Sequence, residues 1–350
     1  MIYKTDNNAK VAVGFSGGVD STAACLLLKE KGYDVYPVYL RMGGTEEVSE
    51  LEKITRSMGL RLSVTDLTDR FNEFVVEDFK ASYTNGMTPN PCIVCNPLVK
   101  FKGLIDFADD NDIDLIATGH YARIVKKGDI YALCRGKNTK KDQSYMLYGL
   151  DSKVLARLLL PLGEYDNKED IRDILRKHEL INSEKPDSQE ICFLKEEVSY
   201  KEIFDDKEGD FVDLQGNILG KHRGIHSFTV GQRKGLGLTF SKPMYVTDID
   251  ADRNRVILGS EEELYREKAI ITDVNYLENS TADCIENAGK GVYKAKVRYS
   301  SAEYAVKEIK ASGDDLEIVF SEPVRAVAPG QSLVVYCQDT VVLGGIIKGC

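Results

Sequence analysis

The stretch VAVGFSGGVDSTAACLLL, Val11–Leu28, carries an apolar strand through a glycine-rich turn into an apolar helix. A turn of this kind between strand and helix cradles phosphate, because the helix's first N–H groups and its dipole both favour an anion there. No Lys-Ser or Lys-Thr closes the loop, so the G-x-x-x-x-G-K-[ST] nucleotide loop is excluded. Gly17 and Gly18 lack Cβ atoms and let the backbone turn tightly against an anion. Ser16 and Ser21 offer hydroxyls, and an acidic Asp20 beside phosphate predicts a Mg²⁺ ion held nearby. A bare Gly-Gly turn is often empty, but Ser-Gly-Gly-Val-Asp-Ser between a strand and a helix is too specific for that reading.

From residue 10 to about 120 the pattern repeats. KVAVGF precedes a helix at 21–31, DVYPVYL one at 46–58, LRLSVTDL one at 70–82, and LIATGH follows a helix over 100–111. Such alternation predicts a doubly wound parallel sheet with ligands at the strands' C-terminal ends. GFSGG, TGHYAR and the end of VYPVYL all fall at such ends and converge on one site. After about Asp142 helical patterns dominate (SKVLARLLL, NKEDIRDILRKHEL), and from Gly209 short strands between turns take over. Residues 268–348 read as a barrel or sandwich. The expected division is an α/β catalytic domain with a helical extension over 1–205, a small central β-rich domain over 206–265, and a C-terminal β-barrel over 266–350.

Length and composition agree with this. A chain of 350 residues, 43% hydrophobic and 29% charged, suits a soluble protein of two or three domains. It contains no apolar run near the ~20 residues that span a bilayer. Nothing like a signal peptide precedes the first strand, which predicts a cytoplasmic protein without membrane contact. In a reducing compartment the eight cysteines are expected to be mostly buried apolar fillers rather than disulfides. The net charge of −10 argues against a nucleic-acid coat over the whole surface but leaves room for a local basic groove.

Two cysteine-bearing stretches stand out from the fillers. In GMTPNPCIVCNPLVKF (86–101), Cys92 and Cys95 lie just before a predicted helix. A C-x-x-C here could be half a zinc site, a redox pair, or a nucleophile with a helper. No second C-x-x-C or paired histidine completes a zinc site, and a thiolate near a helix N-terminus fits best. Cys192 lies in KPDSQEICFL, which taken alone reads as a buried residue of the apolar ICFL.

The hexapeptide SGGVDS resembles the PP-loop of the N-type ATP pyrophosphatases, which split ATP between its α and β phosphates and transfer AMP to a substrate oxygen. TPNPCIVCN, ATGHYAR, KKDQSYML, DSQEICF and TVGQRKGLGL follow in order. Together they resemble the tRNA-specific 2-thiouridylases of the MnmA (TrmU) type over about residues 10–345. The resemblance implies an adenine nucleotide α-hydrolase-like fold and an ATP- and Mg²⁺-dependent tRNA sulfurtransferase. Its substrate would be the wobble uridine in the anticodon stem-loop of tRNAs for Lys, Glu and Gln, whose C2=O becomes C2=S with release of AMP and pyrophosphate. It would act as a monomer fed by a sulfur-donor protein or another persulfide or sulfide source.

Carried over residue by residue, Gly14, Phe15, Ser16, Gly17, Gly18, Val19, Asp20 and Ser21 bind ATP with Leu40 and Gly119. The family usually has Met-Lys-Asn-Trp after the second strand, where this chain reads YLRMGG and contains no Trp. Asn90, Pro91 and Cys92 face the target base, Cys95 is the nucleophile, and Cys192 carries persulfide. Contacts to tRNA fall to His120, Lys141, Asp142, Gln143, Arg298, Tyr299 and Gln331, with Arg233 and Lys234 as further backbone contacts. Because Cys92 adds a third thiol, Cys92, Cys95 and Cys192 could instead hold a 4Fe–4S cluster with one iron open to hydrosulfide. The third cysteine tilts the reading toward the cluster, and both sulfur routes stay open. Competing readings are thiolation of another tRNA position, a PP-loop synthetase acting on a different oxygen, and a non-catalytic tRNA-binding protein. A synthetase would want a glutaminase segment, and a non-catalytic protein a broken loop or missing cysteines.

Overall fold

The computed structural model describes residues 8–43, 48–185, 200–277, 281–288 and 290–349. It forms two compact units, the first comprising residues 1–75, 92–193 and 339–341, the second residues 76–91, 194–338 and 342–350.

The first unit is built on a parallel sheet. Strands β1 (Lys10–Gly14), β2 (Asp34–Arg41), β3 (Ser63–Asp66) and β4 (Leu115–Ala117) join the short strand Leu158–Leu159 in the order β3-β2-β1-β4 and then 158–159. Val11, Ala12 and Val13 are fully buried, as a strand covered on both faces requires. Val11 pairs with Val35 on one side and Leu115 on the other. Helix α1 (Val19–Glu30) is buried at every position from Ser21 to Leu28, which accounts for its apolar sequence on all sides. Helix α2 (Val48–Ser57) is amphipathic and contributes Leu51 and Ile54 to the same core.

The chain leaves β1 toward β2 and β3, then crosses back to lay β4 on β1's other side. The loop after β1 and Thr118–His120 after β4 therefore flank the point where strand order reverses, the usual ligand crevice of such sheets.

Three local outcomes differ from the sequence reading. The end of SKVLARLLL is the fifth strand rather than helix, because Leu158 and Leu159 pair with Ile116 and Ala117. A hairpin over Ala122–Lys127 and Ile130–Arg135 follows TGHY where no element was expected. The predicted helix 100–111 begins earlier, at Pro91, whose fixed φ and missing N–H suit a first helical position. A π-turn at Asn96–Phe101 interrupts it, and the buried Asn96 there donates to Met146 O at 2.7 Å.

The second unit holds two β systems. Tyr245–Asp250, Arg255–Gly259, Gly209–Val212 and Ile218–His222 form a four-stranded sheet in that order around Phe211, Phe228, Val246 and Leu258. Beyond it, Tyr265–Tyr276, Asp315–Arg325, Tyr304–Ser312, Tyr293–Lys296, Ser332–Cys337 and Thr340–Gly349 run antiparallel, and the last strand pairs back onto the first. The choice between barrel and sandwich thus resolves to a closed barrel, filled by Ile271, Ala295, Ile309, Ile318 and Leu333. No helix among the described residues is long and apolar enough to cross a membrane.

Candidate active site

The loop after β1 is locked from within. Ser21 Oγ accepts from Ser16 N at 3.2 Å and donates to Gly18 O at 3.2 Å, so it staples the two sides of the loop together. Ser16 is exposed, and its hydroxyl lies 3.2 Å from Ser21 Oγ. Gly17 has φ +71°, a left-handed conformation that disfavours a side chain, and a Cβ there would lie 2.3 Å from Leu51 Cδ2. Gly18 is the N-cap of α1 and no side chain caps it, which leaves the first-turn N–H groups for an anion. Phe15 and Val19 are buried beneath the loop, and Gly14 lies at the end of β1.

Gly119 packs directly on the first turn of α1. A Cβ there would come within 2.7 Å of Asp20 C and 3.0 Å of Ser21 N, so the end of β4 touches the loop backbone only because residue 119 is glycine. Leu40, near the end of β2, is buried. Glycine cradle, capless helix and acidic Asp20 fit ATP with Mg²⁺.

Three residues without an assigned part in the sequence reading set the geometry of this loop. Tyr121 OH donates to Asp20 Oδ1 at 2.9 Å, and Lys168 Nζ lies 3.2 Å from Asp20 Oδ2. Asn182, 5% exposed, donates to Gly17 O at 3.0 Å and to Thr22 Oγ1 at 2.8 Å. Tyr121 adjoins the recognisable Gly-His pair, whereas Lys168 and Asn182 arrive from helix Lys168–Lys177 and its exit with no local signal.

Lys141, Asp142 and Gln143 divide their labour. Lys141 is exposed. Asp142 is buried and accepts from Gly136 N, Ser144 N and Ser144 Oγ at 3.0, 3.1 and 2.9 Å. Gln143 clasps the backbone of Tyr121, accepting from Tyr121 N at 2.9 Å and donating from its own N at 2.8 Å. Through Tyr121 this stretch orients Asp20.

His120 is partly buried, with Nδ1 2.8 Å from Thr118 Oγ1 and its ring stacked on Phe101. Burial, and then the charge of Lys100, push its pKa down to about 3, so the ring is neutral at physiological pH.

Cys92 and Cys95 lie on the helical turn Pro91–Cys95, Cys92 exposed and Cys95 buried with Sγ 3.9 Å from Met42 Sδ. Cys25, Cys134 and Cys284 are buried fillers. Burial drives the Cys25 thiol pKa far up, and burial with nearby Asp283 lifts that of Cys284 to about 11, so both stay protonated and inert. Cys192 lies outside the described residues. Among the described residues no group of three His, Cys, Asp or Glu side chains is placed to hold a metal ion.

In the second unit, Asn90 and Pro91 end a segment anchored at Thr88. Thr88 N donates to Pro329 O at 2.9 Å, and Gln331 Nε2 donates to Thr88 O at 2.7 Å. Gly330, at φ +85°, lies so close that a Cβ would meet Thr88 N at 2.8 Å. Arg298 Nη2 donates to Val230 O and Ala326 O, both at 2.7 Å, and Lys296 sits over the Tyr299 ring at 5.5 Å. Arg233 and Lys234 are exposed.

Three family models match consecutive stretches of the chain. A family model described as tRNA methyl transferase HUP domain matches residues 9–196. A tRNA methyl transferase PRC-barrel domain matches 199–260, and an aminomethyltransferase beta-barrel domain matches 266–347. The chain is 40% identical to the tRNA-specific 2-thiouridylase MnmA of Clostridioides difficile strain 630, over 97% of this chain and 98% of that one. The chain belongs to the tRNA-specific 2-thiouridylase family. Its identity to the thiouridylase of Carboxydothermus hydrogenoformans is 39%, over 97% of each chain. To that of Acetivibrio thermocellus it is 41%, over 97% of this chain and 99% of the other.

Proposed function

We propose that the protein is an ATP-dependent tRNA 2-thiouridylase that converts the wobble uridine of tRNAs for Lys, Glu and Gln to 2-thiouridine. The observation that carries this reading is the SGGVDS loop at the strand-order reversal of the parallel sheet, in a chain that aligns with thiouridylases along nearly its whole length. A cytoplasmic monomer is the accompanying proposal, divided into a PP-loop domain at 1–205, a central β-rich domain at 206–265 and a barrel at 266–350.

A carbonyl oxygen is a poor leaving group, so the uridine O2 first attacks the α phosphorus of ATP. The bond to pyrophosphate breaks, and its electrons leave with the pyrophosphate. The N–H groups of the first turn of α1 receive the phosphates, Ser16 adds a hydroxyl, and Gly119 and Leu40 border the adenosine. Mg²⁺ held by Asp20 would offset the phosphate charge. Asn90 and Pro91 face the target base, and Cys92 lies beside them. Lys141, Tyr299, Arg233 and Lys234 meet the anticodon arm. His120 presents a neutral ring, and Asp142, Gln143, Arg298 and Gln331 brace backbone that the tRNA contacts.

Sulfur arrives on Cys192 as a persulfide from a donor protein or another persulfide source. Its terminal sulfur attacks C2, and AMP leaves with the C2–O electrons. The Cys95 thiolate then attacks Cys192 Sγ, the S–S bond breaks toward the uridine sulfur, and a Cys95–Cys192 disulfide remains for an external thiol to reduce. The two-thiol route needs only Cys95 and Cys192, and Cys92, exposed on the same helical turn as Cys95, takes no part in it.

Iron-free protein incubated with tRNA, ATP, Mg²⁺ and a persulfide donor is expected to yield 2-thiouridine by nucleoside mass spectrometry. Cys95→Ser and Cys192→Ser abolish the product and Cys92→Ser retains it. Product that requires reconstituted iron, with Cys92→Ser also inactive, overturns the persulfide route in favour of the cluster. No thiolated uridine under either condition overturns the function.

A further inference from the structure

The PP-loop has no lysine or arginine of its own between Gly14 and Ser21. Its only formal charge is the negative one of Asp20, yet the group it must release, pyrophosphate, carries several negative charges. The fold supplies a cation from elsewhere. Lys168 opens the helix Lys168–Lys177, its side chain is only 15% exposed, and Nζ lies 3.2 Å from Asp20 Oδ2 in the first turn of α1. An ammonium this enclosed is expected to keep a charged partner.

The lysine is placed by construction. Asn167 caps its helix, accepting from Asp170 N at 2.9 Å, while Ile171 and Leu175 are fully buried in the same core as Ala23, Leu26 and Leu27 of α1. The two helices thus hold Lys168 against the loop. Tyr121 fixes the other oxygen of the same carboxylate, so the Asp20 side chain has a set direction.

We propose that Lys168 is the phosphate-binding cation of this PP-loop, delivered from a distant helix instead of from the loop as in the Walker arrangement. It rests on the reading of the protein as an adenylating thiouridylase. Before ATP binds, the ammonium neutralises Asp20; with ATP in place, its four-carbon stem lets it reach the β and γ phosphates without leaving the loop. When the uridine O2 attacks the α phosphorus, the electron pair of the breaking P–O bond goes to the pyrophosphate oxygen. Lys168 stabilises that charge as it develops.

The test compares the parent enzyme with Lys168→Met and Lys168→Arg. Affinities for ATP, inorganic pyrophosphate and AMP are measured by titration calorimetry without tRNA, and pyrophosphate release is followed with tRNA. Lys168→Met is expected to weaken ATP and pyrophosphate by at least tenfold and to leave AMP within about twofold, with Lys168→Arg recovering most of the loss. A loss of AMP affinity equal to that of ATP would show that Lys168 only props the loop, and unchanged pyrophosphate affinity would also sink the proposal. If Lys168→Met does not fold, the same ligand pattern is read from Lys168→Arg, where affinities for all three ligands falling together count against it. Failure of the parent enzyme to release pyrophosphate in the presence of tRNA refutes the thiouridylase reading itself, a result distinct from these.

Discussion

The side-chain amide of Asn182 holds the carbonyl of Gly17 at 3.0 Å, across 165 residues of sequence. A trans peptide points its C=O and the next N–H in opposite directions, so fixing Gly17 O on the protein side turns Gly18 N–H outward. Asn182 also holds Thr22 Oγ1, binding the turn and the first turn of α1 as one piece.

Replacing Asn182 should therefore damage nucleotide binding more than folding. Asn182→Ala is expected to raise KM for ATP about tenfold, the equivalent of one lost hydrogen bond of roughly 1.4 kcal/mol. Asn182→Asp should be worse, because a carboxylate would face the Gly17 carbonyl and add negative charge near the phosphates. Steady-state kinetics with saturating tRNA checks the order. A KM for Asn182→Asp equal to the parent value would refute the clamp.

The Thr88 anchor makes a different prediction. Gln331→Leu removes the donor to Thr88 O and is expected to raise KM for tRNA severalfold while leaving ATP binding as it was, with a stability loss of about 1 kcal/mol. Gly330→Ala should cost more, about 1–3 kcal/mol, since the new methyl meets backbone at 2.8 Å and φ is +85°. Urea denaturation alongside tRNA titration separates the two effects. Equal stability of Gly330→Ala and the parent would contradict the close approach.

His120 gives the protein an acid sensitivity whose sign is fixed. Its folded pKa of about 3 lies below the ordinary value of 6.5, so the unfolded chain takes up the proton first as pH falls. The contribution is intact above pH 6.5 and is lost progressively as pH falls toward 3, amounting to about 2 kcal/mol at pH 5. His222 and His226, also depressed by burial, act in the same direction, so the comparison is with His120→Gln. That variant should lose about 2 kcal/mol less than the parent between pH 7 and pH 5 in urea denaturation. Parallel pH profiles would show that the His120 ring is not held neutral.

What was readable from the sequence was local. SGGVDS announces itself because glycines, hydroxyls and the following helix are neighbours in the chain, and strand–helix alternation then fixes the sheet around it. Lys168 and Asn182 stayed hidden because only the packing of a distant helix on α1 brings them to the loop. Tyr121 was masked by its neighbour His120. Leu158–Leu159, two residues long, had no room to show a strand period, and only pairing with β4 makes them one. Asp142, Gln143, Arg298 and Gln331 are all hydrogen-bonding side chains, but residue type does not show which of their polar atoms bind the chain's own backbone.

The closed barrel has a consequence for recognition. Because the strand Thr340–Gly349 pairs back onto Tyr265–Tyr276, the six described barrel strands close into a ring instead of ending in two free edges. Closure leaves recognition to the turns that join the strands, among them 326–331, where Ala326 and Gly330 adopt positive φ. The staves can then drift in sequence at little cost to function, while a change of one residue in a rim turn alters what the barrel can hold.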